Sequence, residues 1–262
     1  MSKELTPLQL IERSITKKYR KELWNPFVEA VKRYELIQEN DKIAVYITGG
    51  KDSMLMAKLL QMLRRITEVP YDLAFIAVDN GCDPLNRQKT ESSAALLNIP
   101  ITAAEPDTVD GTDDPLCTLY NKAKQLGCNK IALCHHFNDV IETTLIGMFY
   151  GSRLQAMLPK LHIKHFEGME LIRPLYCVKE EHINAWERYN SLDFIHCACR
   201  FPEHCGAIDG SKRQEIKELI LRLRKDNPDI EKCIFNSIHS ICLDTFPAYE
   251  TKGQRRSFLE KY

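Results

Sequence analysis

Short apolar runs alternate with amphipathic stretches along this chain, and that alternation sets its organisation. Between Thr6 and Leu36, Trp24, Phe27, Val28, Ala30, Val31 and Tyr34 recur at three- and four-residue spacing, which predicts one or two helices with a core-facing stripe. Asn40-Asp41 breaks the pattern. Ile43 to Ile47 is mostly β-branched and apolar and suits a strand buried on both faces; Met54 to Thr67 then returns to a helical period. Leu73 to Asp79 predicts a second strand, Asn86 to Leu97 a helix, and Ile99 to Ala103 a third strand. Asp107 to Pro115, with four aspartates and little that is apolar, predicts an exposed loop. Leu119 to Leu126 reads as a helix stopped by Gly127, followed by a fourth strand over Lys130 to Cys134 and a helix reaching Tyr150.

Beyond Tyr150 the pattern weakens. Gly151 to Pro159 is rich in turn residues, and Leu171 to Leu175 predicts a short strand stopped by Pro174. Helices follow over Lys179 to Asn190, with Trp186 buried, then Ser211 to Asp226 and Ile230 to Cys242; the last dozen residues read as a tail. Strands alternating with helices imply right-handed βαβ units and a parallel sheet. The expected fold is therefore α/β and Rossmann-like, a parallel sheet flanked by helices. An N-terminal helical arm (residues 1–40) precedes the nucleotide-binding domain (41–195), and a cysteine-bearing segment with a C-terminal helical extension (196–262) follows it.

Composition narrows the class. Of 262 residues, 44% are hydrophobic and 27% charged, as in a soluble globular protein. No apolar run is long enough to cross a bilayer and the charged N-terminus lacks a signal core, so a cytoplasmic protein is expected. The 36 basic and 36 acidic residues cancel, which argues against an extensively basic RNA-binding surface. Ser14 to Trp24 and Lys252 to Arg256 are locally basic, a pattern that also describes an ordinary solvated face. Ten cysteines in a reducing compartment point to metal binding or redox chemistry rather than disulfides, although Cys134 and Cys177 sit in or beside apolar runs as small hydrophobes.

Chemistry concentrates at the ends of the predicted strands. After the first comes Thr48-Gly49-Gly50-Lys51-Asp52-Ser53, opening into a helix. A strand turning through two glycines into a helix presents unpaired N–H groups and a positive dipole end to an anion. Lys51 adds charge, and Thr48 and Ser53 add hydroxyls. The stretch reads as a phosphate cradle and lacks Walker-loop spacing; an ordinary glycine turn is the alternative. Asp79, with Cys82 nearby, ends the second strand. The fourth ends in His135-His136-Phe137-Asn138-Asp139, with Glu142-Thr143 following. A second site at the same sheet edge is one reading; the other is that Asn138 or Asp139 caps the helix and His136 packs. Cys197, Cys199, His204 and Cys205 crowd into nine residues.

Together these segments resemble the tRNA 2-thiocytidine synthetases of the N-type ATP pyrophosphatase, or PP-loop, superfamily. Thr48 to Ser53 matches the signature Ser-Gly-Gly-Lys-Asp-Ser in five of six places, and Cys134-His135-His136-Phe137-Asn138-Asp139 is similar to Gly-His-His-x-x-Asp. Met148 to Gly151, Pro159-Lys160 and Ile172 to Leu175 look like the family too, so the resemblance spans roughly Ser14 to Cys242.

The resemblance implies an adenine nucleotide alpha hydrolase-like fold and a two-stage reaction, in which ATP adenylates O2 of a tRNA cytidine and sulfur then displaces AMP. Thr48, Gly49, Gly50, Lys51, Asp52 and Ser53 would bind ATP, with Asp79 and His135 beside it. Lys51, Asp52, Asp139 and His136 would be catalytic, and Asp52 and Asp139 would face Mg2+. Family members hold a [4Fe–4S] cluster by a Cys-x-x-Cys and a later cysteine. Here the loop ahead of the helix is shortened and only Cys117 stands where the pair would lie. Cys117 and Cys197, with Cys199 or Cys205, are the expected ligands, and zinc the alternative metal. Implied partners are tRNA, a sulfur donor such as a cysteine desulfurase, and a second copy of the chain, without a membrane. A related enzyme acting on a non-tRNA metabolite, or an ATP-binding module without turnover, would share the cradle.

Overall fold

The computed structural model describes residues 5–78, 83–105, 115–163, 166–195 and 210–261. The N-terminal arm is continuously helical but irregular. It comprises α1 (Pro7–Arg13), two π-helical turns (Ser14–Lys18 and Arg20–Trp24) and α2 (Asn25–Arg33). Thr6 and Gln9 form a capping box at its start, with Pro7 in the first turn, where its missing N–H costs nothing. The chain then enters β1 (Lys42–Tyr46), α3 (Lys51–Arg64), β2 (Asp72–Val78), α4 (Pro84–Leu96) and β3 (Ile101–Ala104). After α5 (Pro115–Gln125) come β4 (Lys130–Ala132) and α6 (Phe137–Tyr150). Then follow β5 (Lys160–His162), β6 (Glu170–Ile172), α7 (Glu180–Tyr189), α8 (Gly210–Asp226) and α9 (Ile230–Ser237).

Six strands form one sheet in the order β3-β2-β1-β4-β6-β5. All neighbouring pairs are parallel except β5 with β6. The chain leaves β1 toward β2 and β3, then crosses back to lay β4 on the other side of β1, so the strand order reverses between β1 and β4. In such sheets ligands bind outside the carboxyl ends of the strands at that reversal.

Two cores sandwich the sheet. Ile43 and Val45 of β1, with Ile47 beyond it, pack with α2, α3, α6 and α7, whereas Ala44 and Tyr46 pack with α5 through Leu116, Leu119 and Tyr120. This period-2 division of one strand is what a doubly covered sheet requires. Trp186 is fully buried against Phe194. At the opposite sheet edge, Lys130 is buried but paired with Asp41 and Glu170, each at 3.0 Å, and donates to the Leu36 carbonyl.

Several elements differ from expectation. α3 begins at Lys51, a few residues early, because helical backbone starts in the polar turn and the apolar period starts later; α5 runs from Pro115, with Leu116 of its first turn already in the core. β5 is an antiparallel edge strand of three residues, too short to show a period. α9 stops at Ser237. The expected tail instead holds a hairpin, β7 (Ala248–Thr251) with β8 (Gln254–Ser257), turned through Lys252 and Gly253, both at positive φ.

Candidate active site

The turn after β1 is held by its own hydroxyls. Ser53 Oγ accepts from the Thr48 N–H at 3.2 Å and donates to the Gly50 carbonyl at 2.9 Å, while Thr48 Oγ1 lies 3.1 Å from it. Gly49 has φ +82°, and a Cβ there would fall 2.2 Å from Thr90 Oγ1 and 2.6 Å from Ile195 Cδ1. Only glycine fits this position. Gly50 precedes α3 and no side chain among the described residues caps the helix, so its first-turn N–H groups are presented to a ligand.

Lys51 Nζ lies 3.2 Å from Asp52 Oδ2 and 3.2 Å from Glu180 Oε1. Burial would lower the Lys51 pKa, but these two carboxylates outweigh it and raise it, so the ammonium stays charged. Asp52 Oδ1 is buried, with no hydrogen-bond partner among the described residues.

β4 lies beside β1, with Ile43 opposite Lys130 and Val45 opposite Ala132, so the second motif emerges next to the first. Here the capping alternative is partly realised. His136 itself caps α6: its N–H donates to Asp139 Oδ2 at 2.9 Å, and its Nδ1 sits 3.4 Å from the Asp139 N–H. Asn138 turns the other way and accepts the Glu180 N–H at 2.9 Å, tying this turn to the start of α7. Burial pushes the His135 imidazole down to about 4. A neutral His135 offers a hydrogen bond to a ligand rather than a charge.

The two motifs are joined by a string of alternating charges that sequence reasoning did not foresee. Glu180 takes Lys51 on one oxygen and Lys217 on the other, the latter at 3.4 Å. Lys217 also faces Glu142 Oε1 at 3.9 Å, and Arg213 Nη1 reaches Glu142 Oε2 at 3.3 Å and Asp139 Oδ1 at 2.9 Å. Burial pushes the Glu142 carboxyl up to about 7, against the pull of Lys217 and Arg213. Burial would also raise Asp139, but His136, His135 and Arg213 hold it far below the usual carboxylate range. Glu180 is likewise lowered: burial would raise it, but neighbouring His136, Lys51 and Lys217 outweigh that. The i, i+4 spacing of Arg213 and Lys217 was readable as one helix face; that it meets Asp139, 74 residues earlier, was not.

Of the expected site residues, Thr48 to Ser53, His135, His136 and Asp139 share this sheet edge. Cys117 lies in the first turn of α5, the end of a crossover helix that faces the same edge. Asp79, Cys82, Cys197, Cys199 and Cys205 lie outside the described residues. Among the described residues, no three His, Cys, Asp or Glu side chains gather as a metal site. Cys177 is half-buried, and burial pushes its thiol up to about 12, as suits an inert side chain. No helix of the described residues is long and apolar enough to cross a membrane.

Residues 117–198 match the family model of the PP-loop domain. The chain is 32% identical over 228 residues to the tRNA-cytidine(32) 2-sulfurtransferase of Citrifermentans bemidjiense, covering 81% of this chain and 88% of that protein. It is 31% identical over 239 residues to the enzyme of the same name from Geobacter sulfurreducens, covering 84% and 90%. Among solved structures, the U34-tRNA thiolase NcsA from Methanococcus maripaludis with its [4Fe-4S] cluster superposes with a TM-score of 0.62 at 18% identity, over 82% of this chain and 77% of that one. That likeness establishes the fold.

Proposed function

The chain belongs to the family of tRNA-cytidine(32) 2-sulfurtransferases, and on that premise we propose that it converts a tRNA anticodon-loop cytidine to 2-thiocytidine using ATP. In the first stage cytidine O2 attacks the α-phosphorus of ATP, the bond to the bridging oxygen breaks, and pyrophosphate leaves. In the second a sulfur nucleophile adds at C2 and AMP departs with the former O2. The observation that carries this reading is the uncapped α3 N-terminus, with Lys51 beside it, set next to the His136–Asp139 turn on the adjacent strand.

The residues divide the work by their chemistry. The N–H groups of the α3 first turn and Lys51 would stabilise charge growing on pyrophosphate. Gly49 and Gly50 let the phosphates approach the backbone, and Thr48 and Ser53 fix the turn that presents them. Asp52 fits a magnesium ion, since its buried Oδ1 has no partner among the described residues; Asp139 would be a second oxygen ligand. Asp79 would meet ribose or adenine. His135, neutral, would hydrogen-bond the activated oxygen, and His136 would position Asp139 by capping α6.

For the sulfur stage the proposed ligands are Cys117 and Cys197, with Cys199 or Cys205. Three thiolates are the donor set of an iron–sulfur cluster, and Cys117 stands at the ATP-binding edge. Bound there, a [4Fe–4S] cluster would supply an iron with an open coordination position where sulfur can be presented. A tRNA substrate, a sulfur donor such as a cysteine desulfurase, a homodimeric assembly and a cytoplasmic setting complete the proposal. Two measurements test it. Nucleosides of tRNA from a deletion strain should lack 2-thiocytidine, and loss of a different thionucleoside would redirect the substrate. Anaerobically reconstituted protein should absorb broadly in the blue part of the visible spectrum, and Cys197→Ala should abolish that band; one zinc per colourless chain would overturn the cluster.

A further inference from the structure

The charge string contains more cations than the cradle supplies. Lys51 comes from the phosphate turn, but Arg213 and Lys217 come from α8, far along the chain, and stand one helical turn apart on one face. Glu180 holds Lys51 and Lys217 on its two oxygens, so the two ammonium groups are separated by a single carboxylate. Arg213 is tied to Asp139, the residue opposite the cradle, at 2.9 Å. Both α8 side chains remain about one-third exposed, at 33% and 37%, whereas their shared partner Glu142 is 2% exposed. They are partly exposed charges held on carboxylates beside the cradle.

Four carboxylates (Asp52, Glu180, Glu142, Asp139) thus face three cations, Lys51, Lys217 and Arg213. A polyphosphate accompanied by a divalent cation exchanges partners with such a string without stranding a charge: its oxygens take the cations and its metal takes the released carboxylate oxygens. We propose that Arg213 and Lys217 form a phosphate subsite of the adenylation centre, contributed by α8, which grips the β- and γ-phosphates of ATP and then the leaving pyrophosphate. Arg213 presents a planar fork suited to a phosphate and Lys217 a point charge next to Lys51. This rests on the reading of the cradle as an ATP site, and it makes the helix that follows the cysteine-bearing segment part of the adenylating machinery.

The test uses full-length protein and three probes in the presence of Mg2+: ATP, inorganic pyrophosphate and adenosine, each titrated calorimetrically. Arg213→Ala should weaken ATP and pyrophosphate by about tenfold or more, since hydrogen bonds between charged groups are lost, and should leave adenosine within about twofold. Arg213→Lys should recover part of the loss, and Lys217→Gln should weaken pyrophosphate by a smaller factor. Because Arg213 neutralises buried Glu142, the double variant Arg213→Ala with Glu142→Gln guards against misfolding and should show the same loss of pyrophosphate. Unchanged pyrophosphate affinity in that double variant, or a parallel loss of adenosine, overturns the subsite. Arg213-dependent pyrophosphate binding in a protein that never thiolates tRNA supports the subsite and overturns the substrate reading instead.

Discussion

Ile195 donates its backbone N–H to the Gly49 carbonyl at 3.3 Å, and its side chain covers the space where a Gly49 Cβ would project. The strand-end turn that builds the cradle is therefore packed from outside by the chain leaving α7. Gly49→Ala meets two penalties at once, a positive φ worth about 1–2 kcal/mol and a clash with Thr90 and Ile195. We expect a destabilisation of at least about 2 kcal/mol in urea unfolding, with ATP binding lost alongside. A variant as stable as the parent would show that the turn relaxes freely.

Lys51 should be indispensable to the first stage. Lys51→Ala is expected to lower tRNA-dependent pyrophosphate release by about a hundredfold or more, the usual scale for losing one charge-stabilising group. Wild-type protein that binds ATP but releases no pyrophosphate with any tRNA would instead identify a module without turnover.

Glu142 predicts an unusual pH dependence. Burial raises its folded-state pKa to about 7 from 4.5, so its stabilising contribution is complete below pH 4.5 and is lost as pH rises through 7. Facing it are Arg213 and Lys217 from α8 and Asp139 and His136 from α6. Relative to Glu142→Gln, wild type should lose stability between those limits, by at most about 3 kcal/mol. Urea midpoints of both proteins at pH 5 and pH 8 measure this; curves that stay parallel would contradict it.

The N-terminal arm is pinned to the cradle helix by a buried pair. Lys58 of α3 is 2% exposed and lies 3.3 Å from Glu12 Oε1, which also takes Arg65 at 2.8 Å. Glu12→Ala leaves a buried ammonium unpaired and should cost about 3–5 kcal/mol. Lys58→Met on that background should restore most of it, and failure to do so would move the importance of Glu12 to Arg65.

What could be read from the sequence was whatever has a local cause. The runs beginning at Ile43 and Leu73 declared themselves as strands because a sheet covered on both faces calls for continuous apolar runs, and β1 and β2 form there. The cradle was visible because its requirements, two glycines and a helix start, are adjacent in the chain. Glu180 was invisible as a site residue: it opens an ordinary helix, and its importance comes from Asn138 and Lys51, brought to it by the fold. The β7–β8 hairpin was missed because Ala248 to Ser257 is polar and pairs only with itself, leaving no apolar alternation to detect.

The pairing of β1 with β4 carries a last consequence. Ile43 opposite Lys130 and Val45 opposite Ala132 fix the spacing of the two adenylation motifs by a ladder that owes nothing to the residues between them. The connection from β3 to α5 lies outside this ladder, so a change in its length leaves the β1–β4 register unaltered. The shortening that the family resemblance implies ahead of Cys117 would therefore leave the ATP half of the protein intact. The ladder thus holds the two adenylation motifs side by side whatever arrangement of cysteines serves the proposed sulfur stage.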